Sequence, residues 1–177
     1  MMGGGPVRGD RFPKLVRLAE EAERGISKKN KKEILGLIDD IAGKSRPFGR
    51  GKSMTEGKWE LLYTTEKETL FFSQNGLFGS RCTSISQTID FTSNTINNLI
   101  NFENGKYFSV IGDLSVEATR PERINFKFRA STLRLSERVC IPLPPVGQGW
   151  FDNLYVNDLY RISYDIRGDY LLSRRIG

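Results

Sequence analysis

The 177-residue sequence predicts a mainly β protein, an antiparallel barrel of about eight strands preceded by an N-terminal helical arm. Three features point there. Up to Gly43 the apolar residues recur at helical spacing, whereas beyond Gly57 they recur at every second position, the spacing of a sheet with one wet and one dry face. The alternating runs are short and separated by turn residues. Eight such strands close most simply on themselves, which removes their sticky edges.

In chain order, residues 1–10 read as a disordered leader, and residues 11–56 as a helical arm and linker. Phe12, Leu15, Val16, Ala19 and Ala22 share one helical face, and Gly25 stops that helix. A second helix starts near Ser27, with Ile34, Leu35, Leu37, Ile38 and Ile41 apolar and Gly43 as terminator. Both stripes need cover, which the end of the barrel or a membrane face would supply. Residues 44–56, containing Pro47, are the linker.

Residues 57–177 are the barrel. Trp59, Leu61 and Tyr63 alternate, then Ile85, Gln87, Ile89 and Phe91, then Ile96, Asn98, Ile100 and Phe102. The longest run is Phe108, Val110, Gly112, Leu114, Val116 and Ala118, followed by Ile124, Phe126, Phe128 and Ala130. Asn104-Gly105 is a type I′ hairpin sequence, and Arg120-Pro121-Glu122 and Ile166-Arg167-Gly168 mark further turns. Strands at Trp150–Val156, Leu159–Asp165 and Asp169–Arg174 complete the count. Two apolar stretches break the pattern: Leu70-Phe71-Phe72 with Leu77-Phe78, and the proline-rich Val139–Gln148, which does not suit a central strand. At a barrel mouth such segments serve as end-plug, lid or lipid-contacting lip.

The composition excludes more than it names. Without histidine there is no Ser-His or Cys-His nucleophile, and the commonest general base and zinc ligand is missing. Cys82 and Cys140 either pair or are packed as small hydrophobes. Gly51-Lys52-Ser53 echoes a phosphate loop, but Arg46 stands where its first glycine belongs. Asp152, Asp158, Asp165 and Asp169 cluster in sequence, yet they suit turn hydrogen bonding better than acid–base work. The net charge is +6, and +5 of it precedes residue 57, around Lys28, Lys29, Lys31 and Lys32. That is a solvated helix face or a contact for an anionic surface. Basic arm and aromatic barrel are separate, which argues against nucleic acid. No run approaches the length of a membrane-spanning helix, and residues 1–6 lack the apolar core of a secretory signal. The expectation is a non-catalytic protein with no cofactor and no metal.

Gly57-Lys58-Trp59 resembles the opening motif of lipocalins, in which the Trp closes one barrel end and an Arg from the last strand lies across it. Arg174 or Arg175 stands in the place for that Arg. A wider set of motifs is more specific: Gly57–Thr65 (GKWELLYTT), Leu143–Asp152 (LPPVGQGWFD), Asn157–Ile162 (NDLYRI) and Arg167–Leu172 (RGDYLL), with Glu23-Arg24-Gly25 in the arm. In this order they are similar to the plastid lipid-associated protein family, also called plastid fibrillins, from about Phe12 to Arg175. The family's Tyr-Leu-Asp-Asp run is Tyr155-Val156-Asn157-Asp158 here; Asp158 and Arg161 match, and Asn157 departs. The resemblance implies a lipocalin-like barrel that binds or organises apolar lipids or isoprenoids of the carotenoid, quinone or fatty-acid classes. It also implies a plastid location, at thylakoid, plastoglobule or stroma, with peripheral contact to such a surface. The transit peptide is expected to lie outside this sequence.

On the binding reading, Phe108, Val110, Leu114, Val116, Phe126 and Phe128 wall a pocket. Gln87 and Asn98 face inward, where they partner a ligand oxygen, each other or water. On the alternative, Phe and Ile fill the interior, and the packed barrel coats lipid bodies or scaffolds a plastid protein complex. Cavity volume separates the two.

Overall fold

The computed structural model describes residues 11–43, 51–144 and 147–177. The expected leader and residues 44–50 of the linker lie outside them. Helices α1 (Arg11–Glu21) and α2 (Lys31–Gly43) come first, then the short α3 (Gly51–Thr55) and strand β1 (Gly57–Thr64). Helix α4 (Lys67–Asn75) precedes β2 (Cys82–Asp90), β3 (Thr95–Phe102), β4 (Tyr107–Glu117) and β5 (Arg120–Arg134). A short β6 (Cys140–Leu143) leads to β7 (Gln148–Val156), β8 (Tyr160–Asp165) and β9 (Tyr170–Arg175).

The strands run β4-β3-β2-β1-β9-β8-β7-β5, and β4 also pairs with β5, so eight antiparallel strands close into a barrel. Strand β6 remains outside the ring, paired with the last residues of β5. An edge position suits Pro142, which has no N–H to donate. At the β3–β4 turn Asn104 and Gly105 both take positive φ, 62° and 70°, as the hairpin signal requires.

Helices α1 and α2 cover neither barrel end. They lie along the outer wall, where Leu15, Leu18, Ile34 and Ile38 pack on Leu62, Tyr63, Ile162 and Leu172. The strands under them turn an apolar outer face to the helices, with Leu62, Ile162 and Leu172 buried there. Between α1 and α2 the chain adds a bridge to β1, with the Thr64 N–H donating to the Arg24 carbonyl at 3.0 Å. Gly25 has φ 105°, and a Cβ there would stand 2.3 Å from the Thr64 carbonyl oxygen, so only glycine fits this crossing. Away from the helices the outer wall is polar. Asn101 donates to Ser84 at 3.0 Å, and Ser109 to Asn97 at 2.9 Å.

Strand β5 departs from its expected alternation. Phe128 pairs with Gly112 and Ala130 with Ile111, leaving Arg129 as a bulge. Ala130 therefore turns to solvent and Ser131 takes the inward place.

The two ends differ. At the closed end Trp59 is fully buried among Ile89, Ile96, Leu114, Ile124 and Phe151, and its Nε1 donates to the Thr55 carbonyl of α3 at 2.8 Å. Arg175, not Arg174, lies over its ring, 4.2 Å from the centroid. Arg175 also donates to the carbonyls of Met54, Glu56 and Asp158. Arg174 points outward to Glu60. At the open end Leu70-Phe71-Phe72 belongs to α4, and Phe72 stacks on Phe108 with ring centroids 6.0 Å apart. Both cysteines are free, Cys82 half-buried and Cys140 exposed, so they do not pair and Cys140 is not a packed core residue.

Candidate functional site

Between the Trp59 cluster and the open end lies a cavity of about 620 Å³. Small-molecule sites usually run from about 300 to 1,000 Å³. Phe108, Val110, Phe126, Phe128, Gln87 and Asn98 all line it, as the alternation predicts. Leu114 and Val116 do not. Leu114 is packed in the closed-end core, and Val116 pairs with Ile124 at the same height. Alternation identifies which face of β4 is dry but not how far along the barrel each residue sits.

The floor of the cavity is polar: the inward Gln87 and Asn98 expected from the alternation meet Arg161, whose inward place periodicity did not indicate. Arg161 on β8 is only 1% exposed, between the rings of Trp59 and Phe151 at 5.2 and 5.4 Å from their centroids. Its Nη2 donates to Gln87 Oε1 at 2.6 Å, and Gln87 Nε2 donates in turn to Asn98 Oδ1 at 2.9 Å. Of the alternatives for the inward pair, Gln87 and Asn98 thus bond each other. Arg161 Nε and Nη1 have no hydrogen-bond partner among the described residues. Burial, with the like charge of Arg175, pulls the Arg161 pKa down to about 9. Ser173, opposite Arg161 in the β8–β9 register, and Ser163, two residues along β8, are buried beside it and line the same cavity.

The mouth is acidic. Glu66 follows β1 and accepts from Thr69 Oγ1 at 2.8 Å. Burial first, then Asp165 and Asp169, push its pKa up to about 7. Asp165 Oδ1 accepts from the Arg167 and Asp169 N–H groups, both at 2.9 Å, which is the turn chemistry expected of it. Asp169 accepts from Thr65 Oγ1 at 2.6 Å. Asp152 is held instead by Arg123, at 2.7 and 2.8 Å. Asp158 is exposed in the β7–β8 turn, where its carbonyl receives Arg175. The departing Asn157 accepts from Leu159 N and Tyr160 N through Oδ1, a part that aspartate could also play. Among the described residues no group of acids and cysteines is placed to hold a metal ion.

The PAP_fibrillin family model matches residues 12–173. A protein of Arabidopsis thaliana, "Probable plastid-lipid-associated protein 11, chloroplastic", is 36% identical over 167 residues, which cover 92% of this chain and 77% of that one. Among solved structures, bovine odorant-binding protein with a selenium-containing odorant aligns with 76% of this chain and 78% of its own at 13% identity and a TM-score of 0.40. The same protein with its natural ligand gives 14% identity, 75% and 78% coverage, and a TM-score of 0.36.

Proposed function

The chain belongs to the PAP_fibrillin family, and from that premise we propose that it is a plastid protein whose barrel holds one apolar lipid or isoprenoid without transforming it. The observation that carries this reading is the cavity of about 620 Å³, walled by Phe108, Val110, Phe126 and Phe128 and open at one end. An interior filled by its own side chains, as the packed-barrel alternative requires, would leave no such space. Removing ~400 Å² of apolar ligand surface from water is worth roughly 10 kcal/mol before ordering costs, enough for micromolar binding. The proposed ligand classes are carotenoid-, quinone- and fatty-acid-like molecules.

A second feature supports contact with a lipid surface, thylakoid or plastoglobule. Phe71 and Phe78 by the mouth are 60% and 73% exposed, and Val139 and Ile141 of the β6 segment are exposed as well. Such a lip would let a ligand pass from lipid to barrel without crossing water.

N-phenyl-1-naphthylamine, an apolar dye that brightens on leaving water, tests the cavity. Wild type is expected to saturate with one dye per chain. Val110→Trp, whose indole would occupy the chamber, is expected to abolish the signal with an unchanged circular dichroism spectrum. Undiminished dye binding by a folded Val110→Trp variant would contradict the proposal.

A further inference from the structure

We propose that the cavity floor is a seat for one carboxylate, held by Arg161, so that the preferred ligand is an apolar monocarboxylic acid bound head-down. This rests on the cavity being a ligand site, as proposed above.

A buried guanidinium is ordinarily matched to an acid, because an unpaired charge in a low-dielectric interior is costly. Arg161 is buried and lines the cavity, yet its hydrogen bond goes to the neutral Gln87. Gln87 is itself held by Asn98. The N–H on Nε and the two on Nη1 have no acceptor among the described residues. Arg175, which also lies over the Trp59 ring, adds like charge and donates to main-chain carbonyls. An anion reaching the floor would find Arg161 there with three unused donors buried just behind the cavity surface, which a shift of the guanidinium would bring to it, and with Ser163 and Ser173 beside them.

The charge count selects the head group. One guanidinium balances one negative charge. A phosphate monoester, close to doubly charged, would bring a second charge for which no second cation lines the floor, Arg175 lying outside the cavity lining with its donors on main-chain carbonyls. The mouth selects the orientation. Glu66, Glu68 and Asp165 line the cavity there, and among the described residues at that rim of the lining the one cation is Arg167, which pairs with Glu68 at 2.9 Å. An anionic head is disfavoured at that rim and favoured at the floor, which leaves the tail along Phe108, Phe126 and Phe128.

The test is displacement of N-phenyl-1-naphthylamine from delipidated protein by hexadecanoic acid, methyl hexadecanoate and hexadecyl phosphate. Wild type is expected to prefer the acid to the ester by about tenfold or more, the scale of a charge-assisted hydrogen bond, and to prefer the acid to the phosphate. Arg161→Met should bind acid and ester alike, with the ester affinity of wild type, and Arg161→Lys should recover part of the preference. Equal binding of acid and ester by wild type, or a preference that survives in Arg161→Met, removes the Arg161 assignment and leaves the cavity reading standing. Tighter binding of the phosphate overturns the choice of head group. If neither acid nor ester binds, the cavity reading fails and this inference with it. Should Arg161→Met not fold, the wild-type comparison of the three ligands decides alone.

Discussion

Glu66 holds its carboxyl at the mouth of the barrel, facing Asp165 and Asp169, and burial and that company raise its pKa from 4.5 to about 7. The sign follows from linkage. A carboxyl raised in the fold favours the protonated state there, so its contribution to stability is full below pH 4.5 and is lost as the pH rises through about 7. Glu66→Gln should therefore unfold at a higher urea midpoint than wild type at pH 8, and the gap should close at pH 4.5. Equal midpoints at pH 8 would mean the carboxyl is not strained by its neighbours. Three arginines show what sequence can and cannot supply. Arg174 and Arg175 are indistinguishable in composition, and only strand parity separates them: Arg175 pairs with Trp59 and shares its inward face, while Arg174 pairs with Glu60. Arg161 is harder still. Arg161, Ser163 and Asp165 alternate with Ile162 and Tyr164, which reads as a strand with its polar face out.

At the scale of the element, β8 is inverted relative to that reading because α1 and α2 cover its outer side. Ile162 faces the helices and Arg161 the interior. The two amphipathic stripes were legible, and so was the strand, but nothing in their periodicity says that one lies on the other. Strand β4 shows a second limit. Its dry face runs the length of the barrel, so Val110 lines the cavity while Leu114, four residues on, is packed against Trp59 and Ile124. Leu114→Trp is therefore expected to overpack a closed core, costing about 1–3 kcal/mol in urea or thermal unfolding and leaving dye binding intact. Loss of dye binding by a Leu114→Trp protein as stable as wild type would place Leu114 in the chamber after all. Bulges set a third limit. Alternation predicts Ala130 inside, but the extra residue Arg129 hands that place to Ser131. A Cβ on Gly112 would come within 2.5 Å of the Lys127 carbonyl, so glycine lets β5 approach β4 beside the bulge.

For the molecule as a whole, the barrel and its strand count were legible because short alternating runs with turn residues between them leave few ways to close. The cavity was not, since the same phenylalanines could line a chamber or fill it, and side-chain packing decides which. The central claim is that this chamber takes up an apolar molecule, and native mass spectrometry addresses it most directly. Protein incubated with plastid lipid extract, repurified and sprayed intact is expected to carry one isoprenoid or acyl adduct per chain, recovered by organic extraction and absent from Val110→Trp. A bare mass, under conditions where a lipocalin with known ligand keeps its own, would contradict the account.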